Sequence, residues 1–161
     1  MNTVYLLLGS NLGNSKEIFH QAIHILEFSV GFIISSSSLY VSPPWGFQHE
    51  NNFINQALKI STKLSPREIL SECLVIEQKL GRSRLNKACY QARNIDIDIL
   101  LFNAEIINDK DLIIPHLHLH NRRFALLPLE EIAPNEIHSK FDKTISQLLY
   151  SCSDNSYVRK L

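Results

Sequence analysis

Arg93-Asn94-Ile95-Asp96-Ile97-Asp98-Ile99-Leu100-Leu101-Phe102 alternates apolar and polar residues with the period of a β-strand, and its isoleucines favour the extended chain. Ile95, Ile97, Ile99 and Leu101 then face a core. Asp96 and Asp98 face the other way, followed on that side by Leu100 and Phe102. Carboxylates two residues apart on a strand stand roughly 6–7 Å apart at Cα, close enough to hold one metal ion or bridge a pair. Oxygen ligands with no Cys or His beside them suit a hard cation such as Mg²⁺. A lone D-x-D is most often a solvated face. Here Arg93 lies just upstream, and Arg82, Arg84 and Lys87 precede it, which favours a phosphate–metal site.

Working outward, the stretch 82–92 is basic and aperiodic and feeds directly into the acidic strand. A basic loop facing two carboxylates is a common way to build a polyphosphate site, with a metal on one side and guanidinium groups on the other. Upstream, Ser65-Pro66-Arg67-Glu68 opens a helix with a Ser cap, a Pro at the first position and a capping-box Glu; it runs to Leu80 and stops at Gly81. Its buried stripe is Ile69, Cys73, Ile76 and Leu80, and Leu70, Leu74 and Glu77 form an adjoining line. Residues 53–62 read as a strand, with Phe53 and Asn55 on one side. An aromatic face beside an amide can hold a flat heterocycle; a core Phe beside a turn-end Asn is the equal alternative.

Residues 3–8 form an apolar strand ending in Gly9-Ser10-Asn11-Leu12-Gly13, and Asn14 or Ser15 caps a helix with Ile18, Phe19, Ala22, Ile23 and Leu26 inward. The glycines and Lys16 miss the G-x-x-x-x-G-K spacing, so the segment is a polar turn and not a P-loop. Residues 32–41 read as one strand carrying four serines. The loop 42–52 (SPPWGFQHENN) is long enough to be functional. Beyond the acidic strand, 105–107 and 112–114 form a hairpin about Asn108-Asp109-Lys110-Asp111. Three alternating histidines, His116, His118 and His120, suggest zinc, but Pro115 and Asn121 argue against a regular strand and leave one useful and two solvated histidines. Asn121 caps a short helix through Leu127 that Pro128 stops, Thr144-x-x-Gln147 opens a last one, and 152–161 is a polar tail.

With 161 residues, 45% hydrophobic and 20% charged, the chain is expected to form one globular domain over its whole length. Sixteen basic and sixteen acidic side chains cancel, which speaks against nucleic-acid binding driven by bulk charge. Cys73, Cys89 and Cys152, odd in number and without C-x-x-C spacing, read as free thiols. With no signal region and no long apolar run, the expected place is the cytoplasm, away from membranes.

Eight short motifs occur in order: Gly9-Ser10-Asn11-Leu12-Gly13, Ser42-Pro43-Pro44, Phe53-Ile54-Asn55, Ile76-Glu77-x-x-Leu80-Gly81-Arg82, Ala92-Arg93-x-x-Asp96-Ile97-Asp98-Ile99-Leu100, Pro115-His116, Asn121-Arg122-x-Phe124 and Pro128-Leu129-x-x-Ile132-Ala133-Pro134. Together they resemble the 6-hydroxymethyl-7,8-dihydropterin pyrophosphokinases of folate biosynthesis. The resemblance implies a ferredoxin-like α+β fold, an antiparallel sheet with helices on both faces. It implies transfer of the terminal pyrophosphate of ATP to the pterin hydroxymethyl group, with AMP released, by a monomer acting on these two small molecules. Asp96 and Asp98 would hold two Mg²⁺ ions, and Phe53 and Phe124 would sandwich the pterin. Asn55, Ser42 and the chain at Pro43, Pro44 and Trp45 would read its edge. Leu70, Glu77 and Ile99 would hold the nucleotide, and Arg82, Arg84, Arg93, His116 and Arg122 would meet phosphates. The loops at 43–52 and 82–91 would close over both substrates, with Trp45 as reporter. Tyr90-Gln91-Ala92, Leu74 and Leu117 depart from the family pattern near the nucleotide. Two rival readings are a metal-dependent phosphohydrolase and a catalytically silent pterin-binding protein.

Overall fold

The computed structural model describes residues 1–11, 14–43, 52–81 and 95–161. Pro44, Trp45, Arg82, Arg84, Cys89, Arg93, the turn residues Leu12 and Gly13, and the expected closure of the two loops lie outside the described residues.

In chain order the elements are β1 (Asn2–Ser10), α1 (Ser15–Ser29), β2 (Gly31–Ser36), β3 (Tyr40–Ser42), β4 (Phe53–Thr62), α2 (Pro66–Gly81), β5 (Asp96–Phe102), β6 (Ile107–Asn108), β7 (Ile113–Ile114), α3 (Arg123–Ile132), β8 (Ile137–His138), β9 (Lys143–Thr144), α4 (Ile145–Tyr150) and β10 (Arg159–Lys160). The class is α+β. The main sheet runs β10-β3-β4-β1-β5, with β2 also on β4, and every pairing in it is antiparallel.

Alternation along the central strands fills both faces. Val4, Leu6, Leu8, Leu58 and Ile60 meet α1 and α2 through Phe19, Ala22, Leu26, Ile69, Cys73 and Ile76. Tyr5, Leu7 and Ala57 meet α3 and α4 through Leu126, Leu129, Ile145 and Leu148. The caps read at Asn14, Ser65 and Thr144 are made, whereas Asn121 caps nothing: it ends a 3₁₀ turn, and α3 begins at Arg123 with Arg122 in the N-cap position. Asn14 accepts from Glu17 N–H, Ser65 and Glu68 bond each other's backbone N–H, and Thr144 and Gln147 form a capping box.

Four further expectations need correction. The alternation centred on Asp96 and Asp98 does not persist to Phe102. Leu6 stands opposite Ile99 but Tyr5 opposite Leu101, so Leu100 is an extra residue in the ladder. That bulge reverses the phase: Phe102 joins Ile95, Ile97 and Ile99, while Leu100 and Leu101 both enter the opposite core. Residues 32–41 are not one strand. Ser37 donates its N–H to Ala57 O at 2.9 Å, but its hydroxyl rather than its carbonyl accepts from Ala57 N–H, and its carbonyl turns to the Gln56 side-chain amide at 2.8 Å. The side chain substitutes for the ladder and splits β2 from β3. Pro128 does not stop its helix: α3 starts at Arg123 and passes through it to Ile132. Ala125, Leu126 and Leu129 bury on both sides of the proline, and that packing outweighs the lost bond. The polar tail is partly a strand, because β10 pairs through its backbone with β3 and needs no apolar side chains.

Candidate active site

Strand register assembles the floor of a cleft. Gly9 stands opposite Asn55 on one side and Asp96 on the other, Leu7 opposite Asp98, and Ser42 opposite Phe53. Directly opposed residues share a face, so these residues from four strands look the same way, towards α3. The start of α3 brings Arg122 and Phe124 over them, closing a cleft of about 600 Å³ with Pro43 at its rim. A Cβ at Gly9 would come within 2.9 Å of Asn55 Nδ2, so a larger residue there must displace that amide.

The cleft combines aromatic walls with unsatisfied polar atoms. Ser42 and Asn55 are buried, at 2% and 4% exposure, and Ser42 Oγ and Asn55 Oδ1 find no hydrogen-bond partner among the described residues. Asn55 Nδ2 donates to Leu8 O at 3.3 Å, which leaves its Oδ1 as an acceptor for a ligand N–H. Orphaned buried groups cost roughly 1–3 kcal/mol each, a penalty that a flat heterocycle with a polar edge would remove. Phe53 and Phe124 supply the apolar faces, and the Arg122 guanidinium lies 5.6 Å from the Phe124 ring centre.

A second cleft of about 840 Å³ runs around the outer edge of β5 and shares Asp98 and Arg122 with the first. Leu70, Ile99 and His116 line it together with Lys110, Asp111 and Leu112 from the β6–β7 hairpin. Glu77 reaches β5 from α2, its Oε1 accepting from Ile97 N–H at 2.7 Å, between the two aspartates. His116 Nδ1 accepts from His118 N–H at 3.2 Å, so the neutral ring carries its proton on Nε2. Burial first, then Arg122 and His118, push the His116 pKa down to about 4, so near neutral pH it is an uncharged donor. Burial also lowers the Arg122 pKa, while Asp98 favours its charged form.

Asp96 and Asp98 offer oxygen ligands on one face of the first cleft, and Asp98 stands where it meets the second. Among the described residues no group of three or more His, Cys, Asp or Glu could hold a metal ion. Two carboxylates without a closed cage fit Mg²⁺, which keeps water and takes phosphate oxygens as further ligands. The histidine run does not converge as a zinc site: among the described residues no three His, Cys, Asp or Glu gather to hold a metal, and Leu119–Asn121 form a single 3₁₀ turn. His118 and His120 are half-buried rather than solvated, His120 lying edge-on to Phe141 at 4.7 Å.

Of the residues singled out from sequence, Ser42, Pro43, Phe53, Asn55, Asp96, Asp98, Arg122 and Phe124 line the first cleft. Leu70, Ile99, His116 and Arg122 line the second, and Glu77 stands beside it. Pro44, Trp45, Arg82, Arg84 and Arg93 lie outside the described residues. The sequence reading missed Leu7 and Lys110. In sequence Leu7 is an apolar strand residue and Lys110 a turn residue, and nothing local places either at a cleft.

The family described as 7,8-dihydro-6-hydroxymethylpterin-pyrophosphokinase (HPPK) matches residues 5–134. The chain is 38% identical over 160 residues to the 2-amino-4-hydroxy-6-hydroxymethyldihydropteridine pyrophosphokinase of Haemophilus influenzae, covering 99% of this chain and 98% of that one. It is 42% identical over 147 residues to the protein of that name in Aquifex aeolicus, covering 91% and 90%. Among solved structures, wild-type Plasmodium falciparum HPPK-DHPS superposes with a TM-score of 0.76 at 19% identity, over 92% of this chain. Its S436F/A437G/A613S triple mutant with SDX-DHP gives 0.77 at 20% identity, again over 92%. The chain spans 44% of each of those two longer chains, and this likeness shows the fold.

Proposed function

The chain belongs to the 7,8-dihydro-6-hydroxymethylpterin-pyrophosphokinase family, and from that membership we infer how its two clefts share one reaction. The enzyme is an ATP-dependent diphosphotransferase. It transfers pyrophosphate from ATP to the hydroxymethyl group of 6-hydroxymethyl-7,8-dihydropterin, a step of folate biosynthesis. The pterin lies in the first cleft between Phe53 and Phe124, with Asn55 Oδ1 and Ser42 Oγ on its polar edge. Pro43, and by resemblance Pro44 and Trp45, border it. ATP occupies the second cleft against Leu70, Glu77 and Ile99, with its phosphates directed to the Asp98–Arg122 junction. The orphaned Ser42 and Asn55 atoms, buried beside two aromatic rings in a cleft that opens onto two carboxylates, carry this reading.

The pterin hydroxyl oxygen forms a bond to the β-phosphorus and gives up its proton to solvent, while the bond from that phosphorus to the α-phosphate oxygen breaks and AMP leaves with the electron pair. Such a displacement needs an in-line pose and charge neutralisation rather than a covalent nucleophile. Asp96 and Asp98 would hold two Mg²⁺ ions, which would supply positive charge against the polyphosphate. Arg122 and the His116 Nε2–H contribute donors from the side of α3. Arg82, Arg84 and Arg93 are proposed as further phosphate contacts on the resemblance alone. The order β2/β3, β4, β1, β5, with α1 and α2 on one face, supports a ferredoxin-like description, and residues 1–161 are proposed as one domain that carries the activity.

Incubation with ATP, Mg²⁺ and the pterin alcohol tests the assignment, with AMP expected only when all three are present. Release of phosphate regardless of pterin would instead mark a phosphohydrolase. Pterin binding with no turnover would mark a silent binding protein.

A further inference from the structure

We propose that residues 154–160 form a strap that positions the two walls of the pterin cleft, with Asp154 as its anchor. The proposal rests on the assignment of Arg122 and Phe124 to that cleft. Helix α3, which presents both residues at its start, has no cap from its own N-cap side chain, Arg122. Asp154 supplies one from 31 residues further along the chain, its Oδ2 accepting from Arg123 N–H at 3.0 Å. Its other oxygen accepts from Ser156 N–H at 2.9 Å, so the carboxylate is fixed at both ends. A carboxylate at this position also meets the positive end of the helix.

The same segment then reaches the opposite wall. In β10, Arg159 pairs with Val41 and Lys160 with Tyr40, and Leu161 N–H donates to Leu39 O at 2.8 Å. That strand, β3, ends at Ser42 in the cleft floor. A direct tie joins the walls farther back: Glu131 of α3 accepts from Ser38 N–H at 3.0 Å and from the Tyr40 hydroxyl at 2.5 Å, with Lys160 Nζ 3.7 Å away. The strap thus holds the helix that carries Phe124 and the strand that carries Ser42, yet lines no part of the cleft itself. Asp154 is a positioning residue, and its effect falls more on pterin than on ATP, since Ser42 and Phe124 line the pterin cleft alone while Arg122 lines both.

Steady-state kinetics on the full chain test this. Asp154→Ala is expected to raise KM for the pterin about fivefold to tenfold, with KM for ATP within about twofold of the parent. Asp154→Asn, which keeps one of the two oxygen acceptors and so can still cap Arg123 N–H, should recover pterin KM in part, to within about threefold of the parent. Equal changes in both KM values, or an Asn variant no better than Ala, would overturn the proposal. Should Asp154→Ala not fold, Ser156→Pro decides: it removes the N–H that holds the second oxygen and fixes the backbone at that position, and an unchanged pterin KM rejects the strap. Phe124→Ala, measured in parallel, separates the two layers of argument. If it leaves pterin KM unchanged, the cleft assignment has failed; if it raises pterin KM while the Asp154 variants do not, only the strap has failed.

Discussion

A single methyl group at position 9 would intrude on the cleft floor. The Gly9 Cβ position lies 2.9 Å from Asn55 Nδ2, and that amide cannot swing aside freely because it is buried and bonded to Leu8 O. Gly9→Ala is therefore expected to weaken pterin binding by about 1–3 kcal/mol while leaving ATP binding near its parent value, as calorimetry with each substrate would reveal. Asp96→Ala and Asp98→Ala should act on the chemical step instead. Each removes a charge from the junction where polyphosphate and hydroxyl meet, and AMP formation should fall by roughly three orders of magnitude. Near-parental turnover by either variant, or by the parent protein in a chelating buffer, would exclude this metal assignment. At this scale the sequence was readable wherever residue type carries chemistry. The D-x-D pair and the aromatic-plus-amide pair Phe53 and Asn55 were visible locally. The closeness of Gly9 to Asn55, which are 46 positions apart in the chain and face each other only through register, was not.

Elements were readable where local rules agree, and misread where tertiary contacts override them. The capped starts of α1, α2 and α4 follow from Asn14, Ser65 and Thr144 with their partners three residues on. The Leu100 bulge, the Ser37 break and the passage of α3 through Pro128 have no local signal, because each is decided by a neighbouring strand or core. The bulge lets one strand serve two purposes. Before it, Asp96 and Asp98 face the cleft; after it, Leu100 and Leu101 both enter the core beneath α3 and α4. Glu77 steadies the acidic end by accepting from Ile97 N–H at 2.7 Å. Glu77→Ala is expected to cost about 1–3 kcal/mol in urea unfolding, by stranding a backbone donor, and to lower turnover as the aspartates lose their support. Glu77→Gln retains the acceptor and should recover most of the stability. If Gln and Ala variants unfold at the same urea concentration, the bond to Ile97 is not what Glu77 contributes.

At the scale of the whole molecule, the sheet divides the labour, with α1 and α2 closing one face and α3 and α4 covering the other up to the mouth of the cleft. Polar groups buried outside the cleft then set the response to acid. His138 is 2% exposed, its Nδ1 accepts from Phe141 N–H at 3.3 Å, and its ring stacks on Phe141 at 4.6 Å. Burial above all, with His120 and Lys140 adding to it, pushes its pKa down to about 4 from the ordinary 6.5. A histidine held neutral in this way stabilises the fold fully above the unfolded value, and the contribution drains away as pH falls from 6.5 towards 4. His116, with its pKa also near 4, loses stability over the same window, and His120 is shifted in the same direction by burial, His118 and Lys140. The carboxylates act lower. Burial works against their charge, yet hydrogen bonds hold Glu131 and Asp154 below the usual carboxylate range, so their contribution is lost only as pH falls through those lowered values. Melting of the substrate-free protein should therefore shift down by roughly 10 °C or more between pH 6.5 and pH 4. His138→Gln cannot gain that proton, so its melting temperature should fall less over the same interval, even if it starts lower at pH 7. Parallel pH profiles for the two proteins would mean that the acid response belongs to His116 and His120, and that His138 is already charged or already solvated in the fold.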